Sequence, residues 1–177
     1  MASLDRRASG EGCGVLLLSL PQRHSQARQD LLRDTGFIPI RIETEWSIPL
    51  HGHRLPRVTT VHDLVSVSEL DPDQAAALDN RIGADIPGTE LWHGSGADIQ
   101  ESLNDPEFDP KLYLVARHPQ SGSLDGLIRV WNRTPQPPLG CLGVTRPWRR
   151  TRLASRLIQE VSERLLARGI RKITTRD

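Results

Sequence analysis

The sequence predicts an α/β (α+β) fold. Three patterns carry that expectation. Apolar runs of strand length, among them 112–117 (LYLVAR) and 126–132 (GLIRVWN), alternate with segments of helical periodicity. A loop with Ser121 and Gly122 at its tip joins those two runs and reads as a hairpin connection. A third run, 139–144 (LGCLGV), leads through an arginine-rich turn into an apolar helix stripe and then into another strand-like run at 170–175.

The elements follow in order. Residues 1–12 are small and polar and are expected to fray. The run 15–20 suits a short buried strand ended by Pro21, and 22–35 a helix with Ala27, Leu31 and Leu32 on one face and Gly36 as its stop. In 37–48, Ile38, Ile40 and Ile42 alternate with polar neighbours, as a half-buried strand does. "PLHGHRLPR" breaks the pattern, and 51–57 reads as a linker. His51 and His53 lie there with no third ligand nearby, so a solvated loop is expected rather than a metal site. A new unit begins at Val58, with a strand-like run at 61–67. Asp71, Pro72 and Gln74 stand at the N-cap, N1 and N3 positions of a helix that stops near Gly83. An irregular loop at 84–96 and a second helix around 97–104 precede the hairpin. After 139–144, Leu153, Leu157, Val161 and Leu165 make one apolar helix stripe with Ile158 beside it, and Gly169 ends it.

With 177 residues the chain suits one domain, or one and a fragment. A net charge of +1 excludes a global field that would pull it onto nucleic acid or lipid. The basic character is local: between Arg146 and Asp177 ten arginines and lysines face three acids. Cys13 and Cys141 form neither a disulfide framework nor a metal spacing, and read as reduced thiols. The apolar run 14–20 is too short to span a membrane and lacks a secretory cleavage pattern, so a cytoplasmic protein is expected. Metal-ligand clusters, a Ser/His/Asp signature, a Walker loop and a dinucleotide fingerprint are all absent from the sequence.

The informative stretch is "GVTRPWRRTRLASRLIQ". Arg146, Arg149, Arg150 and Arg152 crowd the start of a helix whose N-terminus already carries partial positive charge. A solvated basic helix end is one reading. The other is a bound polyanion, held by first-turn amides and arginine side chains, with Thr151 and Ser155 hydroxyls as further candidates.

These residues carry a resemblance. From 139 to 177 the chain resembles motif A of the GNAT superfamily of acyl-CoA-dependent N-acyltransferases. That family's loop, Gln/Arg-x-x-Gly-x-Gly/Ala, falls on Arg149, Arg150, Thr151, Arg152, Leu153 and Ala154. The first and last positions match, whereas the middle glycine is Arg152, whose bulk would either crowd the site or bind phosphate itself. The resemblance covers 58–177 and implies a mixed, mainly antiparallel sheet flanked by helices. It implies that amides of residues 149–155, Ser155 included, hold the CoA pyrophosphate, and that the backbone of Leu142, Gly143 and Val144 pairs with the pantetheine arm. The cosubstrate implied is acetyl-CoA, and the reaction is direct attack by a small-molecule or protein amine, with the N–H near Val144 as oxyanion donor. Glu90 and His93, in the loop that lines the acceptor site in the family, are the candidate bases. Arg129 and Asn132 are expected to face the acceptor cleft, and Tyr113, the only tyrosine, to pack.

A GNAT domain continues past the strand at Ile173, and residues 1–50 resemble the tail of such a domain. The organisation expected is that of a tandem, mycothiol synthase-like protein: tail at 1–50, linker at 51–57, head of the next domain at 58–177. The front segment would then complete a sheet, in cis or in trans between protomers of a homodimer. The alternatives are a catalytically degenerate GNAT-like module that binds CoA or a protein partner, and a nucleic-acid binder. The second is disfavoured because the apolar stripe starts inside the basic run and aromatic residues are few. Neither nucleic acid nor a membrane is expected as partner.

Overall fold

The computed structural model describes residues 3–4, 18–19, 26–39, 44–50, 58–86 and 93–176, without the side chains of Ser3, Leu4, Ser19 and Arg176. The chain divides into two units, Met1–Ile42 and Glu43–Asp177. In the first, β1 (Ser3–Leu4) pairs antiparallel with β2 (Leu18–Ser19), so part of the stretch expected to fray sits in a ladder. Helix α1 (Gln26–Asp34) ends as the sequence predicts. Gly36 takes φ 90°, and the Phe37 N–H donates to the Leu32 carbonyl at 2.9 Å. α1 buries none of its residues. The alternation read at 37–48 becomes strand only late. Ile38 is exposed and outside any strand, while Ile40 and Ile42 lie outside the described residues. The linker 51–57, with His51 and His53, also lies outside them.

The second unit is built on a mainly antiparallel sheet flanked by helices, as predicted. Strands β4 (Asp63–Ser66), β5 (Tyr113–Arg117), β6 (Leu124–Val130) and β7 (Leu139–Val144) lie in the order β4-β5-β6-β7, each antiparallel to its neighbour. Along β5 the side chains alternate between two cores. Tyr113 and Val115 join one with Leu78 and Ile82 of α2 (Pro72–Gly83) and Ile99 of α3 (Gly96–Ser102). Leu114 and Ala116 join the other, with Leu153, Leu157, Val161 and Leu165 of α4 (Leu153–Ala167). The four leucine and valine positions of that stripe are all buried, each worth about 1.5–3 kcal/mol. The predicted cap forms, with Asp71 accepting from the Gln74 N–H at 3.0 Å, and Ser95 with Asp98 adds a capping box at the start of α3.

A separate ladder joins β3 (Glu45–Pro49) antiparallel to β8 (Lys172–Arg176), with Ile48 opposite Ile173. The Leu50 N–H donates to the Arg171 carbonyl at 2.8 Å, and the Leu50 side chain enters the α4 core beside Ile173. Deleting residues 1–50 therefore strips β8 of its ladder and the core of Leu50. Such a chain is expected to lose its cooperative thermal transition, whereas deletion of 1–43 keeps it. Near-UV circular dichroism melts of the two distinguish these outcomes.

Arg129 departs from the sequence expectation. It turns inward from β6, and its Nη1 donates to Asp79 Oδ2 of α2 at 2.8 Å, both groups largely buried. Its guanidinium lies 5.4 Å from the Tyr113 ring centroid and 5.7 Å from that of Trp131. Asn132 is exposed. Tyr113 packs as expected, and burial pushes its phenol well above the usual tyrosine range. Arg129→Met leaves the Asp79 carboxylate buried without its partner and is expected to cost about 3–5 kcal/mol in urea unfolding. Adding Asp79→Leu should recover most of that loss.

Candidate functional site

The sheet opens between β7 and β8. Their one bridge among the described residues is parallel and joins Pro138, just before β7, to Thr174, where the Thr174 N–H donates to the Pro137 carbonyl at 3.0 Å. Along its other edge β8 pairs with β3 over Lys172–Arg176. At the other end of β7 the Thr145 N–H donates to the Asp125 carbonyl at 2.8 Å. Backbone groups alternate in direction along a strand, so Thr145, Gly143 and Cys141 aim theirs at β6. Leu142 and Val144 therefore aim N–H and C=O away from β6, into the opening. Gly143 is needed for another reason: a Cβ there would lie 2.2 Å from Ile82 Cγ2, so α2 packs directly on this strand. Cys141 is half-buried, and burial pushes its thiol up to about 11, which leaves it unreactive at neutral pH.

β7 runs into the arginine turn. Arg146–Trp148 form one 3-10 turn with Pro147 near its start. Its Trp148 ring stands edge-on to buried His62, with centroids 4.4 Å apart. His62 Nε2 lies 3.0 Å from Asp125 Oδ2, which also accepts from the Ser123 hydroxyl at 2.9 Å. This pair ties β6 and the segment before β4 to the turn.

Arg150 and Arg152 then take φ 65° and 68°, the left-handed region. Arg152 is the N-cap of α4 and makes no side-chain cap. The first helical amide to bond back is that of Arg156, to the Arg152 carbonyl at 3.0 Å. The amides of Leu153, Ala154 and Ser155 are thus open donors at the positive end of the helix dipole. A left-handed residue followed by a right-handed one curls successive N–H groups into a concave anion-binding nest. Leu153 offers only its backbone, because its side chain is buried in the α4 core. The Thr151 hydroxyl donates to the Trp148 carbonyl at 2.6 Å, so it has no proton left for an anion.

The four arginines divide into two pairs. Arg146 Nη2 donates to Asp85 Oδ1 at 2.9 Å, and Arg149 Nη2 donates to Asp85 Oδ2. Hydrogen bonds from Arg146 and then Arg149 hold the Asp85 carboxyl below its ordinary value of 3.8. Arg150 and Arg152 are exposed and make no ion pair among the described residues. Asp85 lies in the turn after α2, 61 positions before Arg146, and nothing in the sequence joins them. Asp79 carries a faint signal, a carboxylate on the apolar stripe of α2 beside Leu78 and Ile82.

Of the two candidate bases, His93 is exposed just before α3, where the Asn80 side chain brackets the next residue, bonding the Gly94 N–H and carbonyl at 2.8 Å each. Glu90 lies outside the described residues. Groups of His, Cys, Asp or Glu able to hold a metal ion are absent among the described residues. None of the described helices is long and apolar enough to cross a membrane.

No family model and no curated protein matches the chain. Solved structures do. It is similar to a GCN5-related N-acetyltransferase from Sphaerobacter thermophilus, at 25% identity and TM-score 0.57, over 86% of this chain and 47% of that one. It is similar to a tandem GNAT protein from the clavulanic acid biosynthesis pathway, at 18% identity and TM-score 0.59, over 90% and 53%. A third is Saccharomyces cerevisiae N-myristoyltransferase with bound myristoyl-CoA, at 15% identity and TM-score 0.51, over 71% and 32%. The chain spans about half the length of the first two.

The left-handed conformation of Arg152 carries a measurable strain. Arg152→Gly is expected to raise stability by about 0.5–1 kcal/mol in thermal unfolding, since glycine takes φ 68° without a Cβ penalty.

Proposed function

Starting from a chain that carries the GNAT fold, we propose that residues 58–177 bind an acyl-CoA and transfer its acyl group to an amine. Acetyl-CoA is the first cosubstrate to test. The observation that supports this most is the course of β7. Its free backbone groups at Leu142 and Val144 face an opening in the sheet, and the strand leads through the 145–152 turn to the uncapped start of α4. A ligand with an extended amide arm and a diphosphate has that sequence of needs: strand-like pairing for the arm, then open amides for the anion.

In this reading the amides of the 149–155 loop hold the diphosphate and the β7 backbone holds the pantetheine arm. The Val144 N–H stabilises the oxyanion. The amine nitrogen attacks the thioester carbonyl, a C–N bond forms and the C–S bond breaks. The thiolate leaves and takes up a proton, while the attacking ammonium has lost one to a base, for which Glu90 and His93 remain the candidates. The acceptor is a small-molecule or protein amine, and the setting is cytoplasmic. Residues 1–50 are read as the tail of a preceding GNAT-like domain, as in tandem proteins of the mycothiol synthase kind. The tandem GNAT that aligns with 90% of this chain supports that organisation.

Acetyl-CoA at about 100 times its dissociation constant is expected to stabilise the protein by roughly 2.7 kcal/mol in a thermal shift measurement. Thiol release with a panel of amines then reports turnover. A shift without thiol release points to a binding module, and neither signal at millimolar acetyl-CoA overturns the proposal.

A further inference from the structure

We infer that Asp85 is an internal counter-anion that withholds Arg146 and Arg149 from the ligand, leaving Arg150 and Arg152 as the guanidiniums that grip the phosphates. The assignment rests on the reading of the α4 start as a diphosphate site. Asp85 spends one carboxylate oxygen on each of Arg146 and Arg149. It is held in place by more than those two contacts. Its own N–H donates to the Ile82 carbonyl at 3.1 Å, in the closing turn of α2, and Ile82 packs against Gly143 of β7. The carboxylate is thus presented from a fixed platform next to the opening.

A guanidinium already paired with a carboxylate gains less from a second anion, and that carboxylate repels an approaching phosphate. Both effects fall on Arg146 and Arg149. Arg150 and Arg152 carry neither penalty among the described residues. They also belong to the curl that exposes the amides: Arg152 is the residue immediately before the first of them, and both stand at positive φ. The arginine at the glycine position is then a ligand-binding group of this chain. Arg146 and Arg149 act as positioning residues that fasten the turn to α2.

Inorganic pyrophosphate, acetyl-CoA and phosphate-free acetyl-pantetheine can be titrated by calorimetry against the full chain and its variants. Asp85→Asn is expected to tighten pyrophosphate binding several-fold and leave acetyl-pantetheine unaffected. Arg150→Gln and Arg152→Gln should each weaken pyrophosphate by about tenfold, the loss of one charge-assisted hydrogen bond. Arg149→Gln should change it by less than about twofold. All four side chains are exposed, so circular dichroism should show each variant folded as the parent. Loss of affinity in Arg149→Gln with none in Arg150→Gln and Arg152→Gln overturns the assignment, as does weaker pyrophosphate binding in Asp85→Asn. Binding of pyrophosphate in the expected pattern, without competition by acetyl-CoA, leaves the assignment standing and removes the acyl-CoA reading. Binding of acetyl-CoA without any of pyrophosphate does the reverse.

Discussion

The open edge of β7 governs this structure. A strand has two edges, and β7 gives one to β6, while among the described residues β8 is bridged only to Pro138, just before β7. β8 holds its own ladder with β3 on the opposite edge, and Leu50 carries that ladder into the α4 core. Had β8 paired with β7 along its length, Leu142 and Val144 would have no free backbone groups and the sheet no opening. An unsatisfied strand edge is ordinarily a liability. Here it leads, through the 145–152 turn, to the start of a helix that is equally short of partners, and the acyl-CoA proposed above would answer both shortages.

Around that opening, buried polar pairs fix what must not move. Asp79 and Arg129 pin α2 to β6 inside an aromatic cage of Tyr113 and Trp131. His62 and Asp125 brace the far end of β6, and Trp148 rests on His62. A buried ion pair adds little net stability against an apolar pair of the same shape, but removing one partner is costly. Such pairs therefore constrain position more than they add stability, and the position constrained is that of the turn at 146–152.

Charge at that turn is balanced in steps. The helix dipole, four arginines and the open amides all favour an anion. Asp85 supplies the first negative group from within the chain, bridging Arg146 and Arg149. The remaining positive potential lies at Arg150 and Arg152, at the curl itself. The crowding of arginine at a helix N-terminus is thus partly an internal tether, with Arg146 and Arg149 fastened to Asp85.

Patterns local in the chain were legible in the sequence. The caps at Asp71 and Gly169, the stripe from Leu153 to Leu165 and the hairpin strands follow from period and from backbone preference, which act over a few residues. The clustering of arginines before α4 was legible for the same reason. Arg129 misled, because alternation along a strand says which face a side chain takes but not whether that face is solvent or a helix carrying Asp79. Asp85 and the break between β7 and β8 were invisible. Each depends on segments far apart in sequence meeting in space, 61 positions for Asp85 and Arg146, and such meetings are decided by packing across the whole sheet. The sequence by itself determined the α4 stripe, the hairpin strands and where positive charge collects. Tertiary structure decided which edge stays open and which arginines pair with Asp85, because both depend on segments that only the folded chain brings together.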